Sequence, residues 1–122
     1  MKKLNLTIKD VPYAAEEALN RLRVNIKFCG KNTKKIVITS SIPNEGKSTV
    51  SIRLWKLLAE AGFPTVLVDV DLRKSELKNK YRVKGIQEGL NHFLSGLAEY
   101  EDVVYETNIP NGHWVPIAEL LE

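Results

Sequence analysis

One cysteine is all the sequence holds, so Cys29 can form no internal disulfide and has no second thiolate with which to share a structural zinc site. A reducing compartment is the natural setting. Long apolar runs are missing as well: nothing approaches the roughly 18 residues that a bilayer span requires. Residues 1–10 alternate polar and apolar types instead of building the apolar core of a signal peptide. Secretion and membrane insertion by this chain alone are thereby excluded, and the cytoplasm is the expected location. Lysine and arginine are absent from residues 85–122, where seven acids stand. A uniform nucleic-acid-binding surface does not fit that distribution, and no nucleic-acid partner is expected. The two histidines, His92 and His113, have no partners at metal-ligand spacing, and read as surface or packing residues.

What remains is an ordinary globular composition of 122 residues, 43% apolar and 27% charged, without repeats or a linker. A single domain spanning residues 1–122 is expected. Its net charge of +3 hides an asymmetry, since residues 1–60 carry twelve basic and five acidic groups while residues 61–122 carry six and ten. The cluster Lys31, Lys34 and Lys35 reads as a solvated edge before a strand.

The periodicity predicts a helix over residues 14–28, with a stripe of Ala15, Ala18, Leu22, Ile26 and Cys29, and with Gly30 as its stop. Cys29 on that stripe reads as an inert buried thiol. Residues 35–39 form a β-branched run of the kind buried on both faces of a parallel sheet. A second amphipathic helix starts at Ser48, with Val50, Leu54, Leu57, Leu58 and Ala61 apolar, and ends at Gly62 and Pro64. Residues 65–70 repeat the buried-strand pattern. Strand, helix and strand within so short a span predict a βαβ unit with parallel strands. Beyond it, residues 87–94 and 99–107 read as short helices, residues 110–116 hold one short strand, and residues 117–121 make a helical turn.

Between the first predicted strand and its helix lies Ser41-Ile42-Pro43-Asn44-Glu45-Gly46-Lys47-Ser48-Thr49, a P-loop pattern in which Ser41 replaces the first glycine. A helix start offers unsatisfied N–H groups and a positive dipole end, so such a loop suits phosphate. Asn44, Glu45, Gly46, Lys47, Ser48 and Thr49 are the expected nucleotide-binding residues. In that reading Gly46 permits close approach, Lys47 follows charge between the β- and γ-phosphates, and the Ser48 hydroxyl ligates magnesium. The second strand runs into Asp69-Val70-Asp71-Leu72-Arg73, which sets two carboxylates at the sheet edge where ligands of open α/β folds bind. Asp69 and Asp71 are candidates to hold the metal and to orient or deprotonate an attacking hydroxyl. The bland alternatives, a helix boundary for Gly-Lys-Ser-Thr and a pair of strand-end caps for the aspartates, lose weight because the two motifs occur together.

Residues 40–49 and 66–74 resemble the Walker A and Walker A′ motifs of the bacterial protein-tyrosine kinases of capsule and exopolysaccharide synthesis, relatives of the MinD- and ParA-like ATPases. The likeness extends to Glu17 through Phe28, to Gly89-Leu90 with Leu94-Ser95-Gly96, and to Ala118-Glu119-Leu120-Leu121, so it covers nearly the whole chain. It implies a three-layer α/β P-loop NTPase fold with a parallel sheet. It also implies a cytoplasmic kinase that binds ATP or ADP with Mg2+ and autophosphorylates on tyrosine, held at the inner face of the membrane by a membrane-embedded polysaccharide co-polymerase that activates it. Carried over by position, Lys47, Asp69 and Asp71 are the catalytic residues, Ser48, Asp69 and Asp71 hold the metal, and the Glu17–Arg23 helix is a surface for homo-oligomers.

Four departures accompany the matches. The family's third motif lies beyond Glu122 and its terminal tyrosine cluster is missing, so the domain is expected to be incomplete, with a narrow sheet. The segment between Asn111 and Ala118 is shorter than the family's corresponding strand and loop. Asn20 replaces the middle arginine of the family's oligomer motif, and Arg53 and Trp55 stand where small or neutral residues are usual. Two alternatives follow: a non-catalytic nucleotide-binding or interaction module derived from such a kinase, or a MinD/ParA-like ATPase, against which the missing extra loop lysine argues.

Overall fold

The computed structural model describes residues 2–30, 34–37, 47–70, 81 and 83–118. Eight elements follow one another within these residues: β1 (Lys3–Leu4), α1 (Tyr13–Phe28), α2 (Lys47–Glu60), β2 (Thr65–Val68), α3 (Leu90–Leu94), α4 (Tyr100–Val103), β3 (Tyr105–Thr107) and β4 (Gly112–Val115). The four strands form one sheet in the order β1-β3-β4-β2. Two of its three pairings are parallel, β1 with β3 and β2 with β4, and β3 turns back on β4 as an antiparallel hairpin.

Both long helices appear where the periodicity places them. Pro12 precedes α1, and its carbonyl accepts from the Ala15 and Glu16 N–H groups, a fitting place for a residue with no N–H to offer. Helix α2 ends where Gly62 takes φ +95° and the Phe63 N–H reaches back to the Leu58 carbonyl at 3.1 Å. That backbone conformation suits glycine, which carries no Cβ to clash.

The core lies between α2 and the sheet. Ile52, Trp55 and Ala59, at steps of three and four, pack on Leu4, Tyr105 and Trp114, with Leu6, Tyr81 and Ile109 closing the cluster. A smaller cluster, Val103, Val104 and Val115, sits under Leu90 and Ala98. Helix α1 lies on α2 as an outer layer, through a seam that includes Leu19, Arg53 and Leu57.

Several expectations change at this level. Helix α1 buries none of its residues, and Cys29 is exposed, its thiol donating to the Asn25 carbonyl at 3.4 Å. Among the described elements α1 packs chiefly on α2, so its apolar stripe stays half-covered. The buried set of α2 runs through Ile52, Leu54, Trp55 and Ala59, because this helix is covered by α1 on one side and the sheet on the other. Residues 34–37 lie outside any strand, with Ile36 and Val37 exposed, while residues 38 and 39 of the predicted strand fall outside the described residues. Strand β2 alternates between half-buried and exposed positions instead of being buried on both faces. The predicted helix over 99–107 is a single turn, α4, followed by strand β3, because Tyr105 and Thr107 turn their side chains into the core. The turn predicted at 117–121 is not helical at residues 117 and 118, and its remainder lies outside the described residues. Residues 3 and 4, read only as alternating, add a fourth strand.

Two asparagines replace strand pairing where strands stop. Beyond β1, the Asn108 side chain accepts from the Leu6 N–H at 2.8 Å and donates to the Leu6 carbonyl at 3.1 Å, so the chain after the strand is held as another residue of the ladder would hold it. Asn91 does the same for Ala118, donating to its carbonyl at 3.0 Å and accepting from its N–H at 3.1 Å. Asn111 takes φ +66° in the hairpin loop, a conformation asparagine tolerates, and its carbonyl accepts from the Thr65 N–H that opens β2.

Candidate functional site

The expected site residues divide between places the structure describes and places it does not. Asn44, Glu45, Gly46 and Asp71 lie outside the described residues. Lys47 and Ser48 open α2, with Thr49 in the same first turn, so the helix begins directly at the predicted phosphate loop. Its first four N–H groups have no partner within the helix, which makes this end an anion acceptor by construction.

Asp69 follows the last residue of β2. It is 6% exposed, and its N–H donates to the Val115 carbonyl at 3.0 Å, continuing the pairing of β2 with β4. Helix α2 returns antiparallel to β2: the Trp55 indole N–H donates to the Thr65 carbonyl at 3.1 Å, and Asn111 donates to the Ala59 carbonyl at 3.3 Å, so the second half of α2 lies at the start of β2 and β4. The opening turn of α2 therefore belongs to the opposite edge, where β2 ends at Asp69. A helix N-terminus and a buried carboxylate thus share the C-terminal edge of the sheet, where α/β folds bind ligands. Hard oxygen donors at such an edge suit Mg2+, so the chemistry of Asp69 fits the expected metal.

The first turn of α2 makes a contact that no local sequence pattern announces. Tyr81 is 4% exposed within the main core, its hydroxyl hydrogen-bonded to the Thr49 side chain and close to the charge of Arg53 one turn along α2. Burial raises its pKa above the ordinary 10.0, while the Thr49 hydrogen bond and the Arg53 charge pull it down. A tyrosine so far from the loop in sequence carries no local signal of this contact.

His92 Nδ1 accepts from the Gly89 N–H at 3.1 Å at the start of α3, and His113 lies half-buried in β4. Trp55, the unusual residue of the phosphate helix, finds its space in the core at 2% exposure. Gly89-Leu90 and Ala118, separate pieces of the family resemblance, meet through the Leu90 N–H bond to the Pro116 carbonyl at 2.7 Å and through Asn91. Among the described residues, no helix is long and apolar enough to cross a membrane.

This α/β architecture, with its parallel-dominated sheet, matches that of P-loop NTPase-like kinase domains. No protein-family model matches the chain. The tyrosine-protein kinase CpsD of Streptococcus agalactiae is 45% identical to it over 101 residues, covering 83% of this chain and 44% of that protein. Among solved structures, the chimerical protein CapA2B2 superposes with a TM-score of 0.77 at 27% identity, covering 96% of this chain and 55% of that one. The BceF tyrosine kinase domain does so with a TM-score of 0.71 at 31% identity, covering 83% and 40%. The chain is a homologue of bacterial tyrosine-protein kinases, and it spans less than half the length of the CpsD relative.

Proposed function

We propose that this chain is the ATP-binding part of a cytoplasmic tyrosine kinase that autophosphorylates and regulates capsular or exopolysaccharide synthesis, within a single P-loop domain over residues 1–122. The observation that carries the reading is the meeting of the α2 N-terminus with buried Asp69 at one sheet edge, in a chain 45% identical to a tyrosine-protein kinase. The backbone of the 44–49 loop and the first turn of α2 hold the phosphates, and Lys47 compensates their charge. Ser48, Asp69 and Asp71 would hold Mg2+, which when bound neutralises charge on the β- and γ-phosphates. In the transfer itself the γ-phosphoryl group moves to a tyrosine oxygen, ADP leaves, and the phenolic proton passes to a carboxylate of the Asp69/Asp71 pair. The partners of this reading are a membrane-embedded polysaccharide co-polymerase that activates the kinase, and further copies of the chain through the Glu17–Arg23 face of α1.

Magnesium linkage tests the site. Titration of ADP into the wild-type chain with and without Mg2+ is expected to show tighter binding with the metal, and Asp69→Asn is expected to remove most of that gain. An unchanged magnesium dependence in Asp69→Asn would make the aspartate a strand-end cap and no more.

A further inference from the structure

Tyr81 joins three segments that are distant in sequence. Its ring is buried with Ile52 and Trp55 of α2, its carbonyl accepts from the Thr7 N–H at 3.2 Å, and its hydroxyl is hydrogen-bonded to Thr49. Thr49, Ile52 and Arg53 stand at i, i+3 and i+4, so they form the face of α2 turned toward this tyrosine. The segment behind the ring is anchored as well, because Val83 and Ile86 pack on the same cluster. Arg53 adds a charge beside the phenol, and among the described residues its buried Nε has no hydrogen-bond partner. Such an arrangement leaves the opening turn of α2 little freedom to shift along or about its axis.

Resting on the nucleotide-site reading above, we infer that Tyr81 is a positioning residue for the phosphate-binding end of α2: through Thr49 its hydroxyl fixes the first turn whose N–H groups receive the phosphates. The tyrosine touches no nucleotide in this account. Its effect on binding comes from holding backbone donors in place, since a bound phosphate rewards only donors already aimed at it. A neutral hydrogen bond of this kind is worth about a three- to tenfold change in affinity.

Calorimetric titration of Mg-ADP into the full chain tests this, with Tyr81→Phe, Thr49→Val, the double variant, Thr49→Ser and Lys47→Met. Tyr81→Phe keeps the ring and the packing, and melting curves check that each variant folds. The inference expects about three- to tenfold weaker binding in Tyr81→Phe. It also expects no further loss when Tyr81→Phe is added to Thr49→Val, and near wild-type affinity in Thr49→Ser, which retains the hydroxyl. Wild-type affinity in Tyr81→Phe, whatever its melting temperature, overturns the inference while Lys47-dependent binding keeps the site. Fully additive losses in the double variant overturn it too, because they deny that the two residues act through one bond. Binding that does not depend on Lys47 overturns the site reading, and the role of Tyr81 with it.

Discussion

A Cβ placed on Gly112 would stand 2.7 Å from the six-membered ring of Trp55, so the first residue of β4 is shaped by the largest side chain of α2. The tryptophan fills the space that the missing Cβ leaves, and its indole N–H is satisfied by Thr65 at the start of the neighbouring strand. Gly112→Ala is expected to destabilise the fold by about 1–3 kcal/mol, the usual range for overpacking a filled core. Urea denaturation followed by tryptophan fluorescence measures it.

Asn108 carries both hydrogen bonds of the Leu6 backbone. Replacing it with alanine leaves a buried N–H and a buried carbonyl without partners, and the expected loss is about 1–3 kcal/mol. Hydrogen exchange localises the effect, with the Leu6 amide losing protection more than the amides of α2.

Gly89 has a tighter constraint than Gly112, because an added Cβ would lie 2.5 Å from the Pro116 carbonyl oxygen and the Ala118 nitrogen, both backbone atoms. Gly89→Ala is expected to break the Leu90 bond to Pro116 and the Asn91 clamp on Ala118. Its melting temperature is expected to fall further than that of Gly112→Ala, since a ring can tilt where a backbone pair cannot.

The raised pKa of Tyr81 has a definite sign in stability. The folded chain keeps the phenolic proton at pH values where the unfolded chain has begun to lose it. This contribution is therefore fully present below pH 10.0 and is lost as pH climbs from there through the folded value. Tyr81→Phe is expected to unfold with a shallower decline in stability above pH 10.0 than the wild type, read from urea midpoints along an alkaline series. Parallel declines in the two proteins would contradict the assignment of that slope to Tyr81.

How much of this was legible in the sequence depends on the range of the forces involved. Helices α1 and α2, strand β2 and the strand at Gly112–Val115 declare themselves through local periodicity and through stops at Gly30, Gly62 and Pro64. The Lys47-Ser48-Thr49 start of α2 and Asp69 at the end of β2 were readable for the same reason. The partners of each element were not. Strand β1 is two residues long and exists because Glu106 and Thr107 lie beside it, which no window around Lys3 contains. The strand character of Tyr105–Thr107 yields to helical periodicity until its hairpin with β4 is formed. The asparagine clamps at Asn91 and Asn108, and the grip of Tyr81 on Thr49, join residues far apart in the chain. Trp55 departs from the family pattern on its helix, and its place is explained by distant partners, the core cluster, the Thr65 carbonyl and the open space at Gly112.

Mg-ADP binding by the wild-type chain and by Lys47→Met, compared by calorimetry under one buffer and salt condition, tests the central claim most directly. Charge-assisted contacts contribute about 1.5–3 kcal/mol each, so the account predicts at least about tenfold weaker binding in the variant. Equal affinities in the two proteins would contradict it.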